Sequence, residues 1–135
     1  MSDVPTIFRV MVEVGDLDKA ATFYTELLGM AGRRIERASR HYFDCGPVIL
    51  AVVDVSGGGR KPRATVTDIY FAVRDIDAVH ARANVLGCLS KEQVHGEPGG
   101  EIVVRPWRER SFYALDPWGN GLCFVDDRTL FTGKR

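Results

Sequence analysis

Val14-Gly15-Asp16-Leu17-Asp18 is followed, 59 residues later, by a second copy of the same pattern, Val73-Arg74-Asp75-Ile76-Asp77. The same spacing relates Leu27 to Leu86, near the end of each copy. An internal repeat of this kind indicates a supersecondary unit that occurs twice. We therefore predict two similar modules in tandem.

Each copy predicts an amphipathic helix directly after a strand. Asp16 and Asp75 are typical N-cap residues, because a carboxylate can accept hydrogen bonds from the free N–H groups of a first helical turn. Gly29 and Gly87 follow the two apolar-periodic segments and favour a left-handed ending of each helix. Between cap and glycine, apolar residues recur at helical spacing.

Most of the remaining chain has the composition of short strands. The predicted strands are residues 7–14, 31–36, 41–45 and 48–54 in the first half, and 68–73, 88–94, 109–115 and 121–126 in the second. Residues 101–107 fit no element clearly. The order strand, helix and three strands, repeated once, predicts an α+β fold with two tandem βαβββ modules.

These elements set the expected domain organisation. All of residues 1–135 form one domain, with module one at about 5–55 and module two at about 67–127. Residues 56–66, which contain Gly57-Gly58-Gly59, are predicted to be a flexible linker. Residues 128–135 are a C-terminal tail.

Composition limits the classes of partner and the compartment. Lys+Arg and Asp+Glu both number 18, so no excess positive charge favours nucleic acid or an acidic membrane. No apolar run approaches the roughly 20 residues of a membrane span, and no export signal is evident. Cys45, Cys88 and Cys123 are odd in number and widely spaced, which argues against a disulfide framework. We expect a cytoplasmic protein with neither nucleic-acid nor membrane partners.

Two further motifs point to a known family. Phe23-Tyr24-Thr25-Glu26-Leu27-Leu28-Gly29-Met30 follows the first copy, and Phe112-Tyr113-Ala114-Leu115-Asp116-Pro117-Trp118-Gly119-Asn120 lies near the end. With the repeat, they resemble the vicinal-oxygen-chelate superfamily, which includes glyoxalase I, extradiol dioxygenases and bleomycin-resistance proteins. The resemblance covers nearly the whole chain. It implies curved mixed sheets around a ligand cavity and a homodimer, with or without exchange of modules between chains.

The resemblance fails at the metal site. Metal-dependent members of the superfamily hold a divalent ion at four positions, and the resemblance places Arg9, Leu50, Asp68 and Cys123 there. A guanidinium stays protonated and has no free lone pair, and a leucine side chain has no donor atom. Asp68 and Cys123 alone are too few for a catalytic ion. We therefore predict no metal and no other cofactor, and the activity does not follow from the fold.

The candidate ligand-binding residues are Arg9, Met11, His41, Asp68, Tyr70, Trp107, Phe112 and Cys123. Arg9 and Asp68 hold equivalent positions in the two modules and are expected to form an ion pair. That pair either closes the former metal site or leaves Arg9 to hold an anionic or carbonyl-bearing ligand. Tyr70 shares strand parity with Asp68, and Trp107 offers a face for stacking. No residue is assigned a catalytic role.

Three functions remain open from the sequence. The first is binding of a small organic molecule in the cavity without a catalytic metal, as in bleomycin-resistance proteins. The second is a lyase, isomerase or dioxygenase that uses an unconventional site. The third is a vestigial cavity in a protein whose role is association with a partner. Binding without turnover, turnover that a chelator abolishes, or neither would distinguish them.

Overall fold

A computed structural model describes residues 3–134 of the chain. The backbone divides into two compact units, one ending at Ala64 and the other starting at Thr65. The division falls inside the predicted linker, and each unit has one helix and one open, uncurled four-stranded mixed sheet, where the sequence led us to expect curved sheets. Across the described residues, neither helix has the length and apolar character needed to cross a membrane.

The first unit has the predicted βαβββ order. Its elements are β1 (Arg9–Val14), α1 (Leu17–Leu28), β2 (Arg33–Ile35), β3 (Arg40–Cys45) and β4 (Val48–Asp54), with a short 3-10 turn at Ser56–Gly58. The sheet order is β1-β4-β3-β2. Strand β1 runs parallel to β4, and the other neighbours are antiparallel.

Helix α1 begins and ends where the sequence predicts. The Asp16 carboxylate accepts a hydrogen bond from the backbone N–H of Lys19 at 3.0 Å, and Gly29 adopts a left-handed conformation with φ 69°. The buried face of the helix includes Tyr24, whose ring lies 6.0 Å from that of Phe43 on β3. Alternate residues of the sheet therefore pack against α1, and the intervening residues point to the opposite face.

The second unit repeats this arrangement with an added hairpin. Its elements are β5 (Ile69–Val73), α2 (Ile76–Leu86), β6 (Gln93–Val94), β7 (Glu97–Pro98), β8 (Val103–Val104), β9 (Arg110–Leu115) and β10 (Gly121–Asp126). The main sheet has the order β5-β10-β9-β8, and β6 pairs with β7 separately. Asp75 caps α2, and Gly87 ends it at φ 69°.

The strand predicted at residues 88–94 is largely absent. Backbone bonds join Ser90 N–H to Tyr113 and Leu115 N–H to Cys88, but only one isolated bridge forms, at Leu89. Gly99 lies so close to this segment that an added Cβ would be 2.7 Å from the Glu92 carbonyl oxygen. The segment around Gly99 thus interrupts strand pairing of residues 88–94. The fourth strand of the sheet is β8, which lies in the segment 101–107 that the sequence left unassigned.

The predicted linker makes hydrogen bonds with regular elements at both of its ends. Arg60 donates to both carboxylate oxygens of Glu13, at 2.7 and 2.6 Å, and the Arg63 backbone N–H donates to the same carboxylate at 2.8 Å. In the second unit, the Thr65 N–H donates to the side-chain oxygen of Asn120 at 3.0 Å. Side chains of regular elements therefore hold the glycine-containing segment at both ends.

Candidate functional site

The face of the second sheet turned away from α2, which we call the open face, carries a row of three polar side chains. Cys123 on β10 is the register partner of both Tyr70 on β5 and Tyr113 on β9. Tyr70 is 58% exposed, whereas Tyr113 and Cys123 are buried. The two tyrosine rings lie 6.5 Å apart, edge to face. The row combines an accessible aromatic surface with buried hydrogen-bonding groups.

The buried members of this row are neutral at physiological pH. Burial raises the pKa of the Cys123 thiol to about 12, although hydrogen bonds with Tyr113 and Ser111 act in the opposite direction. Burial is also the main cause of the raised pKa of Tyr113, to which Cys123 and Tyr70 contribute. A neutral thiol is a poor nucleophile and a poor metal ligand.

Asp68 lies next to the row and is half-buried. It precedes β5, and its carboxylate occupies the space that a Cβ at residue 121 would fill, so Gly121 leaves room for it. Burial raises the pKa of Asp68, and the negative charge of Glu92 raises it further.

Arg105 is a polar residue of the open face that the sequence did not identify. Its side chain is 2% exposed, and its guanidinium lies 5.1 Å from the ring centroid of Tyr113. Nε donates to the Ser111 hydroxyl and Nη2 to the Ser111 carbonyl, both at 3.0 Å. The available signal was weak: an arginine directly after the apolar run Ile102-Val103-Val104.

Trp107 lies beside the hairpin formed by β6 and β7. Its indole N–H donates to the Glu109 carboxylate at 2.7 Å, and its ring centroid is 5.0 Å from that of His95 in the hairpin turn. Val94 of the same hairpin packs against the cluster that includes Tyr113. The hairpin therefore connects Trp107 with the covered part of the open face.

Arg9 and Met11 lie on β1 of the first unit, on the face opposite α1, and both are exposed. The Arg9 guanidinium donates to the Tyr42 hydroxyl at 3.2 Å and lies 4.7 Å from the ring centroid of Phe8. Hydrogen bonding from Arg40, with a smaller contribution from Arg9, lowers the pKa of Tyr42. Arg9 therefore lies among aromatic rings and a second arginine, and its side chain is accessible to solvent.

His41 and Phe112 do not join the other candidates, because each lies on the helix side of its sheet. His41 is 8% exposed, shares a hydrogen bond of 3.0 Å with the Ala31 carbonyl through Nε2, and contacts the Phe43 ring at 5.0 Å. Phe112 stacks on Phe124 at 5.3 Å beneath α2. The alternation of side chains along a strand determines these two orientations, since a shift of one position moves a side chain to the opposite face of the sheet.

The donor atoms present do not fit a catalytic divalent ion. Leu50 is fully buried on the helix side of its sheet, and Arg9 cannot act as a ligand. In the second unit Asp68 remains, with a neutral Cys123 thiol. Within either unit, the described residues contain no group of three or more His, Cys, Asp or Glu side chains suited to a metal.

Known structures share this fold at low sequence identity. A glyoxalase/bleomycin resistance protein from Albidiferax ferrireducens T118 has a TM-score of 0.73 and 23% identity, over 89% of this chain and 97% of that one. Oxidase ChaP-H1 has a TM-score of 0.74 and 23% identity, over 97% and 100%. Lactoylglutathione lyase from Agrobacterium tumefaciens has a TM-score of 0.64 and 20% identity, over 93% and 96%.

The family itself is shown by the sequence. No curated protein matches the chain significantly. A family model, however, described as Glyoxalase/Bleomycin resistance protein/Dioxygenase superfamily, matches residues 6–124, which is most of the chain. The resemblance stated from the motifs is therefore confirmed. The chain belongs to the glyoxalase/bleomycin resistance protein/dioxygenase superfamily.

Proposed function

We propose that this protein reversibly binds a small, planar or anionic organic molecule without a catalytic metal and without changing it chemically. The observation that carries the proposal is the row of Tyr70, Cys123 and Tyr113 on the open face. It offers an accessible ring beside buried neutral groups, and the family resemblance assigns Cys123 to a metal-ligand position of metal-dependent members. Mostly apolar surfaces with a few oriented polar groups are the usual binding sites for small molecules.

The chemistry of this face favours binding over catalysis. A nucleophilic cysteine needs a thiolate, and the raised pKa of Cys123 disfavours it. His41, the histidine that the sequence associated with the cavity, is buried on the helix side of the other sheet. A neutral Cys123 thiol is therefore a poor nucleophile toward a molecule resting on Tyr70, and the His41 ring is covered within its own unit.

A second candidate function rests on Asp68. Its raised pKa moves the carboxyl toward the range in which general bases work near neutral pH. A lyase or isomerase reaction with Asp68 as the proton carrier is therefore the enzymatic alternative. Turnover that Asp68→Asn abolishes while ligand affinity is kept would favour this alternative over simple binding.

Arg9 offers an anion contact on the first unit. Its guanidinium is exposed and lies against two aromatic rings, so it can donate to a carboxylate, phosphate or carbonyl of a ligand. We expect Arg9→Ala to weaken binding, whereas a change at exposed Arg74 on the loop after β5 should leave affinity unchanged. Equal affinity after Arg9→Ala would remove Arg9 from the site.

The experiment starts with protein purified from its natural source. Native mass spectrometry would detect a retained molecule, and calorimetry with that compound would give its affinity. Chromatography after long incubation should recover the compound unchanged; conversion by the wild-type protein would overturn the binding proposal. Elemental analysis should find substoichiometric zinc, nickel, iron and manganese. About one tightly held transition metal per chain would overturn the metal-free part.

We also propose that the protein is a cytoplasmic homodimer. Strand β1 is an edge of its sheet, and Phe8 and Met11 beside it are 58% and 47% exposed. An exposed edge with apolar side chains favours association with another copy. The cysteines are free, which suits a reducing compartment. Sedimentation as a monomer at micromolar concentration would contradict the dimer, and recovery outside the cytoplasmic fraction would contradict the compartment.

A further inference from the structure

The Arg105 guanidinium is buried and only partly satisfied. Its Nε and Nη2 atoms donate to the Ser111 hydroxyl and carbonyl, and Nη2 also approaches the carbonyls of Gly99 at 3.5 Å and Glu101 at 3.4 Å. Its Nη1 atom is buried and has no hydrogen-bond partner among the described residues. Two N–H groups of a permanently charged side chain are thus left without an acceptor.

The positive charge of Arg105 also lacks a counter-ion in its own unit. Within residues 65–134, the ion pairs join Arg110 and Arg128 to aspartates, and none reaches Arg105. The groups nearest to it are the Tyr113 ring, the Ser111 hydroxyl and backbone carbonyls, all of which are uncharged. A buried guanidinium without an anion is unfavourable, and supplying an anion at Nη1 relieves this.

We propose that Nη1 of Arg105 binds one carboxylate oxygen of an aromatic acid whose ring contacts Tyr70 and Tyr113. The inference rests on the proposed function and names the ligand class for the open face. Because Nε and Nη2 are already engaged, only Nη1 is left to donate, and one oxygen of an anion is the fitting acceptor. The Tyr113 ring lies 5.1 Å from the guanidinium, and the exposed Tyr70 ring, 6.5 Å from that of Tyr113, continues the aromatic surface.

A purely structural role explains only part of this geometry. Nε and Nη2 tie the segment 99–101 to β9, and they do so without Nη1. A lysine or a neutral side chain could bridge carbonyl groups at a lower cost of burial, since guanidinium keeps its charge in any surroundings. The unpaired Nη1 is the feature that an anion receptor requires and a structural tie does not.

An anion can reach Nη1 only if the covering segment moves. Residues 99–101 contact the guanidinium, and the hairpin of β6 and β7 comes directly before them. Each strand of that hairpin has two residues, and its turn contains His95 with a left-handed φ of 52°. Opening of this segment breaks the backbone hydrogen bonds of Gly99 with Glu92 and Tyr113, both 2.8 Å, and the bond between His80 and the Gly100 carbonyl. Hydrogen exchange of the hairpin and the following glycines is therefore expected to change when the anion binds.

The test uses the wild-type protein, with benzoate and its neutral analogue benzamide as probes. Side-chain nitrogen NMR of arginine should show a saturable shift of the Arg105 Nη signals with benzoate, and benzamide should bind at least about tenfold more weakly. Hydrogen exchange of residues 93–101 should change with benzoate. Equal binding of both probes would overturn the anion receptor while leaving small-molecule binding intact, and no Arg105 shift at saturation would overturn it as well.

A variant pair provides an independent check. Arg105→Gln should lower benzoate affinity by at least about tenfold and leave the weaker benzamide affinity unchanged. Arg74→Gln, at an exposed position, is the matched control. If Arg105→Gln does not fold, Tyr70→Ala replaces it: the loss of the ring should weaken benzoate binding while the Arg105 signal still shifts. Unchanged benzoate affinity in folded Arg105→Gln would overturn the inference.

Discussion

The Asp68 carboxylate occupies the space that a side chain at residue 121 would need. Gly121 is buried at the start of β10, and its backbone is not in the left-handed region. The absence of a Cβ therefore serves the close approach of Asp68. This contact places a half-buried acid beside the row of Tyr70, Cys123 and Tyr113.

Gly121→Ala tests that contact. We expect the substitution to lower the free energy of unfolding by about 1–3 kcal/mol, because the new methyl group would displace the carboxylate. In an Asp68→Ala background, the same substitution should cost much less, since the methyl group then enters a vacated space. Urea unfolding of the two single variants and the double variant measures the coupling, and equal costs in both backgrounds would show that Asp68 is not the obstacle.

The sequence predicts an ion pair between Arg9 and Asp68, and a double-mutant cycle tests it. If the pair forms and is buried, Arg9→Ala alone should strand the carboxylate and destabilise the protein more than the double replacement does, by roughly 1–4 kcal/mol. Chemical unfolding of the four proteins of a double-mutant cycle gives the interaction energy. Additive effects would show that the two residues do not interact.

Asp116 organises the turn between β9 and β10. Its Oδ1 accepts hydrogen bonds from the backbone N–H groups of Trp118 and Asn120, both at 2.9 Å, and its Oδ2 accepts from the Asn120 side chain at 2.8 Å. Asp116→Ala should lower the unfolding free energy by about 2–4 kcal/mol, because it leaves buried donors without acceptors. Exposed Asp127→Ala is the control in thermal unfolding, and an equal effect of both changes would refute this role.

Glu13 makes the stability of the first unit depend on pH. The hydrogen bonds from Arg60, and next that from the Arg63 backbone, hold the pKa of this carboxyl far below its ordinary value of 4.5. A depressed native pKa contributes stability that is fully present above the unfolded-state pKa and is lost as the pH falls below it. Arg60→Gln should therefore lower the free energy of unfolding at neutral pH. It should also make that free energy decrease less steeply as the pH is lowered. Unfolding curves measured across the acid range check this, with Arg74→Gln as the control. If Arg60→Gln and Arg74→Gln both followed the wild type, the role assigned to the Glu13–Arg60 pair would be wrong.

The three cysteines should differ in reactivity. Cys123 is fully buried and Cys88 nearly so, and burial raises their pKa values to about 12 and about 11. Cys45 is only half-buried, although burial also raises its pKa. Native alkylation at mildly alkaline pH should modify Cys45 more than about tenfold faster than Cys123. Peptide mass spectrometry gives the order in which the three cysteines are alkylated. Rapid labelling of Cys123 would contradict this prediction and support a nucleophilic role for its thiol.

Much of the fold follows from local patterns in the sequence. Asp16 with Gly29, and Asp75 with Gly87, delimit the two helices, because capping and left-handed termination depend on residues close in the chain. The ends of β4 and β10 agree with the predicted strands 48–54 and 121–126. The repeat and the turn motif also sufficed for the family, which residues 6–124 confirm.

The tertiary structure decided which side chains share a surface. His41 and Phe112 have residue types that suit a ligand site, but the register of their strands turns them toward the helices. Arg105 has no sequence pattern that marks it as buried, and its position depends on the fourth strand that replaces the one predicted at 88–94. Caps and glycine endings depend on neighbours a few residues away, whereas strand face and burial depend on pairing between distant segments. Local sequence therefore determined the elements, and long-range pairing determined the site.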